Sequence, residues 1–285
     1  MNGAKLNTWD AWHAEAGHLH RMALIQHTRE ELLDLLKHAS RTGEPLHTVV
    51  EIGCGPGTPL SAALAERIAE GGTFVALDQS SRALAAWRET AWKASNGRIA
   101  LAAIPVDLED PALDLPAEFR RQGLSSIDAA VAMNCFQYVR PAALARIFCQ
   151  LNAAGVQQVL AAMQYAPFNQ IKVGLQGVLA GIAGDLLRRQ VPLGTVLHFA
   201  WENFQRQNQG GFPAWELVQG LLQDAGFSIP EKSQDVRWIF GSGSKAGDQM
   251  GNVFRACRTS RAKPGVNVPG ETIGLENIST FLSGS

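Results

Sequence analysis

The segment V-V-E-I-G-C-G-P-G-T, residues 49–58, constrains the fold more than any other part of the chain. It predicts a short buried strand ending at Ile52, a tight turn with glycines at positions 53, 55 and 57, and a helix behind it. Glycine lets the backbone adopt positive φ and approach a ligand that a Cβ would push away. Thr58 is a good N-cap and Pro59 a good first helical residue. Because the positive end of the helix faces the turn, the segment predicts a site for a ligand whose near end is anionic or rich in acceptors.

Strands and helices alternate along most of the chain. The predicted strands are 48–52, 73–77, 99–106, 127–133 and 156–163, and the predicted helices are 59–70, 81–95, 117–122 and 142–152. A later helix, 214–225, precedes two strands, 234–240 and 251–258, which are joined by a Gly/Ser-rich turn. The alternation predicts an α/β fold with a parallel, doubly wound sheet covered on both faces, closed by an antiparallel hairpin.

The flanking segments have other patterns. Residues 8–40 read as two helical pieces, the second beginning at a capping box formed by Thr28 and Glu31. Residues 168–208 are mostly helical and follow the fifth strand. The expected organisation is an N-terminal helical cap 1–44, a Rossmann-like core 45–165, a helical lid 166–211, the C-terminal part of the core 212–259 and a tail 260–285.

Composition excludes several classes of protein. The 285 residues are 46% hydrophobic and carry a formal net charge of −1. The chain therefore lacks the surplus of Lys and Arg with which nucleic-acid-binding proteins contact phosphates. The four cysteines lack a C-x-x-C pairing, which predicts reduced thiols in a cytoplasmic protein. The most apolar long segment, 171–187, is too short and too polar to span a bilayer. We therefore expect a soluble protein without a nucleic-acid or membrane partner, whose oligomeric state the sequence leaves open.

Two nucleotide-binding motifs compete for the glycine turn, and neither fits. The dinucleotide fingerprint G-x-G-x-x-G would place its third glycine at position 58, where the chain has Thr58. The phosphate loop needs a G-K-[ST] ending, which is absent. The pattern E-x-G-C-G-P-G, residues 51–57, resembles motif I of the class I S-adenosylmethionine-dependent methyltransferases. The resemblance covers 45–165 well and 212–258 loosely. It implies a seven-stranded sheet and S-adenosylmethionine as cofactor, with S-adenosylhomocysteine as product.

Acidic residues in or after the first three predicted strands are candidates for binding this cofactor. Asp78 follows the second strand, where a carboxylate can accept hydrogen bonds from both ribose hydroxyls, although it could also cap the next helix. Asp107 resembles the family's adenine-binding acid, with Leu108 against the ring, although it could be a turn acid. Glu51 corresponds to an acid that, in the family, helps hold the methionine amino group. The alternative at that position is an ion pair with a neighbouring lysine or arginine.

The remaining cofactor contacts follow from the same resemblance. Asn134 corresponds to the residue whose backbone carbonyl meets the methionine end, and the chain departs there from the [ND]-P-P-[YF] form of enzymes that methylate planar amide or base nitrogens. The whole expected cofactor set is Glu51, Gly53, Cys54, Gly55, Pro56, Gly57, Asp78, Gln79, Asp107, Leu108 and Asn134.

Methyl transfer from a sulfonium is an in-line displacement with a good neutral leaving group, so no catalytic residue type is obligatory. His198 and Glu202 are four apart on a predicted helix, where the carboxylate could orient the imidazole as a general base, and Tyr165 is a further candidate. The alternative is a helix-face hydrogen bond without a chemical role. The candidates for the substrate pocket are Trp9, Trp12, His13, Gln137 and Trp201.

The two N-terminal tryptophans could equally dock a surface helix, and His18-x-His20 is too weak a pattern to predict a metal. The sequence thus predicts a methyltransferase that acts on a small, partly apolar organic molecule. The acceptor atom is oxygen, nitrogen or carbon, and natural-product biosynthesis is a pathway type that would fit. The alternatives are a protein or RNA methyltransferase, a regulatory module that binds the cofactor without turnover and, more distantly, a nicotinamide oxidoreductase.

Overall fold

A computed structural model describes residues 23–39, 45–164, 213–230, 236–240 and 249–259. The helices in these ranges are α1 (Ala23–Ala39), α2 (Pro59–Arg67), α3 (Ser81–Ser95), α4 (Leu115–Arg121), α5 (Pro141–Ala153) and α6 (Trp215–Asp224). The strands are β1 (Leu46–Ile52), β2 (Ile68–Asp78), β3 (Ala100–Pro105), β4 (Ala129–Met133), β5 (Gln158–Gln164), β6 (Phe227–Ser228), β7 (Val236–Phe240) and β8 (Gln249–Arg258). A short 3-10 helix, Phe136–Tyr138, follows β4.

The strands form one sheet in the order β3-β2-β1-β4-β5-β8, with β6 and β7 both on the outer side of β8. Strands β1 to β5 are parallel, and β8 is antiparallel to β5. Phe227 of β6 pairs with Arg258, whereas Val236 of β7 pairs with Phe254, so the two are successive segments of one broken edge strand. Within the described residues the sheet therefore has seven strand positions, which confirms the predicted mostly parallel sheet with an antiparallel closing hairpin.

Both faces of the sheet are covered, as a doubly wound sheet requires. On one face α1, α2 and α3 bury side chains such as Leu35, Leu64 and Trp87. On the other face α4, α5 and α6 bury side chains such as Phe119 and Phe148. We call the edge where β1 to β5 end the carboxyl edge, and the edge where they begin the amino edge. Ligands of open α/β sheets bind at the carboxyl edge.

Helix boundaries with clear capping residues agree with the sequence prediction. Helix α3 begins after Ser80, whose side chain accepts a hydrogen bond from the backbone N–H of Ala83, and it ends at Asn96 with φ +52°. Helix α2 begins after Thr58, with Pro59 as its first residue. These local signals fix helix ends because they satisfy backbone groups that the helix itself leaves unpaired.

The predicted capping box at Thr28 and Glu31 is wrong. Thr28 is buried inside α1, which runs without a break from Ala23 to Ala39. An N-cap needs a non-helical backbone, and burial of Leu32 and Leu35 stabilises the continuous helix instead. The part of the predicted N-terminal cap before residue 23 lies outside the described residues.

Helix α2 ends three residues earlier than predicted, and β2 begins at Ile68 instead of residue 73. Ile68 pairs with Leu46 and Thr73 with Thr48, with an irregular register between the two pairs. At Gly72 a Cβ would lie 2.5 Å from the His47 carbonyl oxygen. Gly72 therefore serves a close approach of two strands.

Candidate functional site

The glycine turn, residues 53–57, connects β1 to α2 at the carboxyl edge. Gly53, Gly55 and Gly57 have φ of +66°, +58° and +77°, the left-handed region that strongly favours glycine. The backbone N–H of Gly53 donates to the Leu77 carbonyl at 2.7 Å, which ties the turn to β2. The sequence prediction of a turn with positive φ is confirmed.

Two of these glycines are also required by contacts within the protein. A Cβ at Gly53 would lie 2.7 Å from the Cβ of Cys135, which follows β4. A Cβ at Gly57 would lie 2.7 Å from the carbonyl oxygen of Ala86 in α3. Both distances are far below van der Waals contact, so no other residue fits without movement of the backbone. The turn is thus packed between β4 and α3.

Asp78, at the end of β2, is buried and fixes the turn. Its Oδ2 accepts a hydrogen bond from the backbone N–H of Gly55 at 3.0 Å, and its Oδ1 accepts one from the N–H of Ser80 at 2.9 Å. Hydrogen bonds to a charged acceptor are stronger than neutral ones. The carboxylate therefore supports the turn, in addition to the ribose-binding role expected of it.

Glu51 lies beneath the turn and joins two helices to β1. Its Oε1 accepts a hydrogen bond from Ser61 Oγ of α2 at 3.0 Å, and its Oε2 accepts one from Trp87 Nε1 of α3 at 2.9 Å. Burial raises the pKa of Glu51 to about 8, while these two hydrogen bonds lower it and the nearby Asp78 raises it further. Glu51 is therefore mostly a neutral carboxyl at pH 7. Its hydrogen bonds go to two neutral side chains rather than to the lysine or arginine considered as an alternative.

The N-terminus of α2 satisfies part of its own donor capacity. The N–H of Ser61 donates to Thr58 Oγ1, and the N–H of Thr58 donates to Ser61 Oγ, both at 3.2 Å. This capping box was not predicted, because serine replaces the usual Glu or Gln three residues after the cap. Two of the amides expected to face a ligand are thus engaged within the protein.

The loop after β3, residues 107–110, is held by two arginines. Asp107 is exposed, and its Oδ1 accepts a hydrogen bond from the N–H of Glu109 at 2.9 Å. Glu109 accepts hydrogen bonds from both the backbone and the side chain of Arg140. Arg146 donates to the carbonyls of Leu108 and Asp110, at 3.0 and 2.9 Å. These contacts orient the exposed Asp107 and the half-buried Leu108, and the sequence gave no signal for either arginine.

The loop after β4 lies beside the glycine turn. Asn134 has φ +55°, and its N–H donates to the Ala162 carbonyl at 2.8 Å. Its side-chain Oδ1 is buried and has no hydrogen-bond partner among the residues that the structure describes. Gln137, two residues after Cys135, is fully buried on the 3-10 helix.

The two cysteines near the turn are neutral thiols. Burial raises the pKa of Cys135 to about 12 and the pKa of Cys54 well above its usual range. Cys54 Sγ donates to the Gly55 carbonyl at 3.3 Å. Nucleophilic chemistry needs a thiolate, so these residues shape the site and do not act as nucleophiles.

Three solved structures share this architecture. A protein of the DUF574 family from Streptomyces avermitilis is 16% identical and covers 88% of this chain and 88% of its own, with a TM-score of 0.55. Magnesium protoporphyrin IX methyltransferase from Synechocystis, with bound S-adenosylhomocysteine, is 15% identical over 88% of this chain and 94% of its own, with a TM-score of 0.52. The 1,6-didemethyltoxoflavin N1-methyltransferase from Burkholderia thailandensis is 14% identical over 88% and 84%, also at 0.52. The fold is that of the class I methyltransferases.

No family model matches the sequence, and no curated protein is significantly similar to it. At these identities the likeness establishes the class I methyltransferase fold and its sheet order, not the chemistry of this chain.

Within that methyltransferase fold, the predicted cofactor residues come from four neighbouring strand ends. The glycine turn follows β1, Asp78 and the half-buried Gln79 follow β2, and Asp107 with Leu108 follows β3. Pro56 lies half-buried within the turn, and Asn134 follows β4 on the other side of β1. The structure thus brings the predicted cofactor residues to one edge, and their contact with a cofactor stays a prediction.

The predicted catalytic residues His198, Glu202 and Tyr165 lie outside the described residues. So do Trp9, Trp12, His13 and Trp201 of the predicted substrate pocket, which leaves Gln137 as its described member. In the described ranges, no group of three or more His, Cys, Asp or Glu residues could hold a metal ion. No helix within those ranges is long and apolar enough to cross a membrane.

Proposed function

We propose that this protein transfers the methyl group of S-adenosylmethionine to a small, partly apolar organic molecule. The observation that carries the proposal is the hydrogen bond between Gly55 and Asp78. It holds the glycine turn against the carboxylate expected to bind the ribose. Both neighbours named as methyltransferases were solved with S-adenosylhomocysteine bound, and one of them also with its small-molecule ligand.

The residues of this chain would act mainly by binding and orientation. The cofactor supplies an electrophilic methyl group and leaves as a neutral thioether. Asp78 and Asp107 would hold the ribose and the adenine, while the turn and Asn134 would face the methionine end. Glu51, whose oxygens accept hydrogen bonds from Ser61 and Trp87, would help hold the amino group of the methionine end, directly or through water. The remaining requirement is to align the acceptor on the axis opposite sulfur and to exclude water.

A base is needed only when the acceptor must lose a proton before it can attack. We retain His198, oriented by Glu202, as the proposed general base and Tyr165 as a second candidate. A hydroxyl or an acidic carbon would need such a base, whereas a neutral amine would not. His198→Ala should leave affinity for S-adenosylhomocysteine unchanged and lower turnover if the acceptor arrives protonated.

The net charge of the chain supports a small-molecule acceptor rather than RNA. A net charge of −1 over 285 residues disfavours an RNA substrate, because phosphate contacts need clustered Lys and Arg.

All four cysteines are free thiols, which agrees with the proposed cytoplasmic location.

Calorimetric titration of the full chain with S-adenosylhomocysteine, with NADH as the control, tests the proposal. We expect micromolar binding of S-adenosylhomocysteine alone. Transfer of a labelled methyl group to members of a small-molecule panel then tests turnover. Binding of NADH that survives competition by S-adenosylhomocysteine would overturn the proposal in favour of an oxidoreductase.

A further inference from the structure

Asn252 is a buried amide without hydrogen bonds. It lies in β8 with its side chain fully shielded from solvent, and neither Nδ2 nor Oδ1 has a hydrogen-bond partner among the described residues. An unsatisfied buried polar group destabilises a fold, and native proteins retain few of them. Such an amide, in a strand position suited to an apolar residue, is the starting point for a ligand-binding role.

Another buried asparagine shows how the fold treats an amide that has only a structural role. Asn152, at the end of α5, donates from Nδ2 to the Gly226 carbonyl at 3.2 Å. It lies at the amino edge, away from the glycine turn, and it joins α5 to the start of β6. The contrast shows that the chain can satisfy a buried asparagine where no ligand is expected.

Asn252 lies at the carboxyl edge. It pairs with Met163, near the end of β5, on one side and with Trp238 of β7 on the other. Strand alternation places its side chain on the same face as Met163 and Phe254, which belong to the apolar layer covered by α4, α5 and α6. Phe254 packs on Trp215 at the N-terminus of α6, with ring centroids 5.1 Å apart. The amide therefore lies where an apolar and aromatic layer reaches the carboxyl edge.

A second amide with an unsatisfied atom lies at the same level of the sheet. The N–H of Asn134 bonds to the carbonyl of Ala162, the residue before Met163, and Met163 pairs with Asn252. The two asparagines are thus two strand positions apart, about 10 Å. Asn134 follows β4, the neighbour of β1 and its glycine turn, whereas Asn252 lies farther out, beyond β5. This arrangement separates a cofactor side from an acceptor side along one edge.

The chemistry of the amide specifies its ligand. A primary amide presents an N–H donor and a carbonyl acceptor side by side and carries no charge. Its best complement is a neutral group with an adjacent carbonyl and N–H, which can form two parallel hydrogen bonds with it. We propose that Asn252 binds the methyl acceptor through such a lactam-like edge at the carboxyl edge of the sheet. This inference rests on the proposed function.

The test uses 2-quinolinone as a lactam probe and quinoline, which lacks the paired carbonyl and N–H, as its control. Both are titrated into the full chain saturated with S-adenosylhomocysteine. We expect the lactam to bind wild type at least about tenfold more tightly than quinoline, a difference of about 1.4 kcal/mol. In Asn252→Leu, which keeps the side-chain shape, this discrimination should disappear, while affinity for S-adenosylhomocysteine should not change.

Thermal unfolding separates a ligand role from a structural one. Removal of a buried amide with no partner should leave the melting temperature of Asn252→Leu unchanged or raise it. The matched variant Asn152→Leu should melt at a lower temperature, because it loses the hydrogen bond that joins α5 to the Gly226 carbonyl. Equal destabilisation of both variants, or a wild type that does not discriminate between the probes, would overturn the inference. Failure of wild type to bind S-adenosylhomocysteine would overturn the proposed function instead.

Discussion

At the amino edge of the sheet, Asp128 Oδ2 accepts hydrogen bonds from the backbone N–H groups of His47 and Thr48, at 2.6 and 2.9 Å. At the carboxyl edge, Asp78 accepts hydrogen bonds from the N–H groups of Gly55 and Ser80. Each aspartate thus holds two backbone amides. The amides held by Asp128 belong to the start of a regular strand, whereas Gly55 belongs to a turn with left-handed backbone.

The buried asparagine side chains at the two edges also differ in their hydrogen bonding. Asn152 at the amino edge is hydrogen bonded within the protein, whereas Asn134 and Asn252 at the carboxyl edge have buried atoms without partners in the described part of the chain. Stability favours satisfied polar groups. The amino edge therefore has the features of a structural support, and the carboxyl edge those of a binding site. Three of the four predictions below pair a variant at the carboxyl edge or beside it with a similar one elsewhere.

The largest effect is expected for Gly57→Ala. The new Cβ would collide with the Ala86 carbonyl and would occupy a backbone with φ +77°, so we expect a loss of about 3 kcal/mol of stability, together with weaker binding of S-adenosylhomocysteine. Gly123→Ala is the control, because Gly123 has φ +73° but open space around its Cα. Chemical denaturation should show only the backbone cost there, about 1–2 kcal/mol. Equal losses in the two variants would show that the turn tolerates the added methyl group.

Asp78→Ala should weaken binding of S-adenosylhomocysteine by about 2 kcal/mol, or about 30-fold, because charge-assisted hydrogen bonds to the turn and the ribose are both lost. Asp128→Ala should reduce stability through the released amides of β1 and leave the affinity unchanged. Calorimetric titration of the two variants measures the difference. A normal affinity in Asp78→Ala would remove this carboxylate from the proposed site.

Glu51→Gln should make the free energy of unfolding less dependent on pH. A carboxyl whose pKa rises from 4.5 to about 8 on folding binds a proton on folding. Wild-type stability should therefore fall as pH rises between these values, by at most about 1.4 kcal/mol per pH unit. The variant keeps a side chain that can accept a hydrogen bond and lacks the titration, so denaturation at pH 5 and pH 8 should show its advantage growing with pH. A constant difference would mean that Glu51 is already ionised in the folded protein.

The smallest effect is expected for Glu109→Gln. It weakens the contact with Arg140 that orients the loop of Asp107, at a partly exposed site where ion pairs contribute about 0.5–1 kcal/mol. Glu118→Gln is its control, because the Glu118–Arg121 pair lies on α4 itself. We expect a two- to fivefold loss of S-adenosylhomocysteine affinity for Glu109→Gln only. Identical affinities would show that Arg146 alone holds the loop.

Local patterns in the sequence were enough for the order of elements, the glycine turn and the helix ends at Thr58, Ser80 and Asn96, because backbone conformation and capping depend on neighbouring residues. The predicted boundary between α2 and β2 was wrong, because it depends on the pairing of Ile68 with Leu46, a contact between residues distant in sequence. The capping box at Thr28 failed for a similar reason, as burial of one face of α1 outweighs the local signal.

The sequence by itself determined the strand that ends at Glu51 and Ile52, the turn that only glycine can make, and the acids at the next two strand ends. Only the tertiary structure decided what these groups contact. Trp87 reaches Glu51 across 36 positions and Arg140 reaches Glu109 across 31, while Asn252 meets the end of β5 through antiparallel pairing. Periodicity and spacing encode which face a residue takes along its own element. The partners across the sheet depend on how distant elements pack, and no local pattern records that.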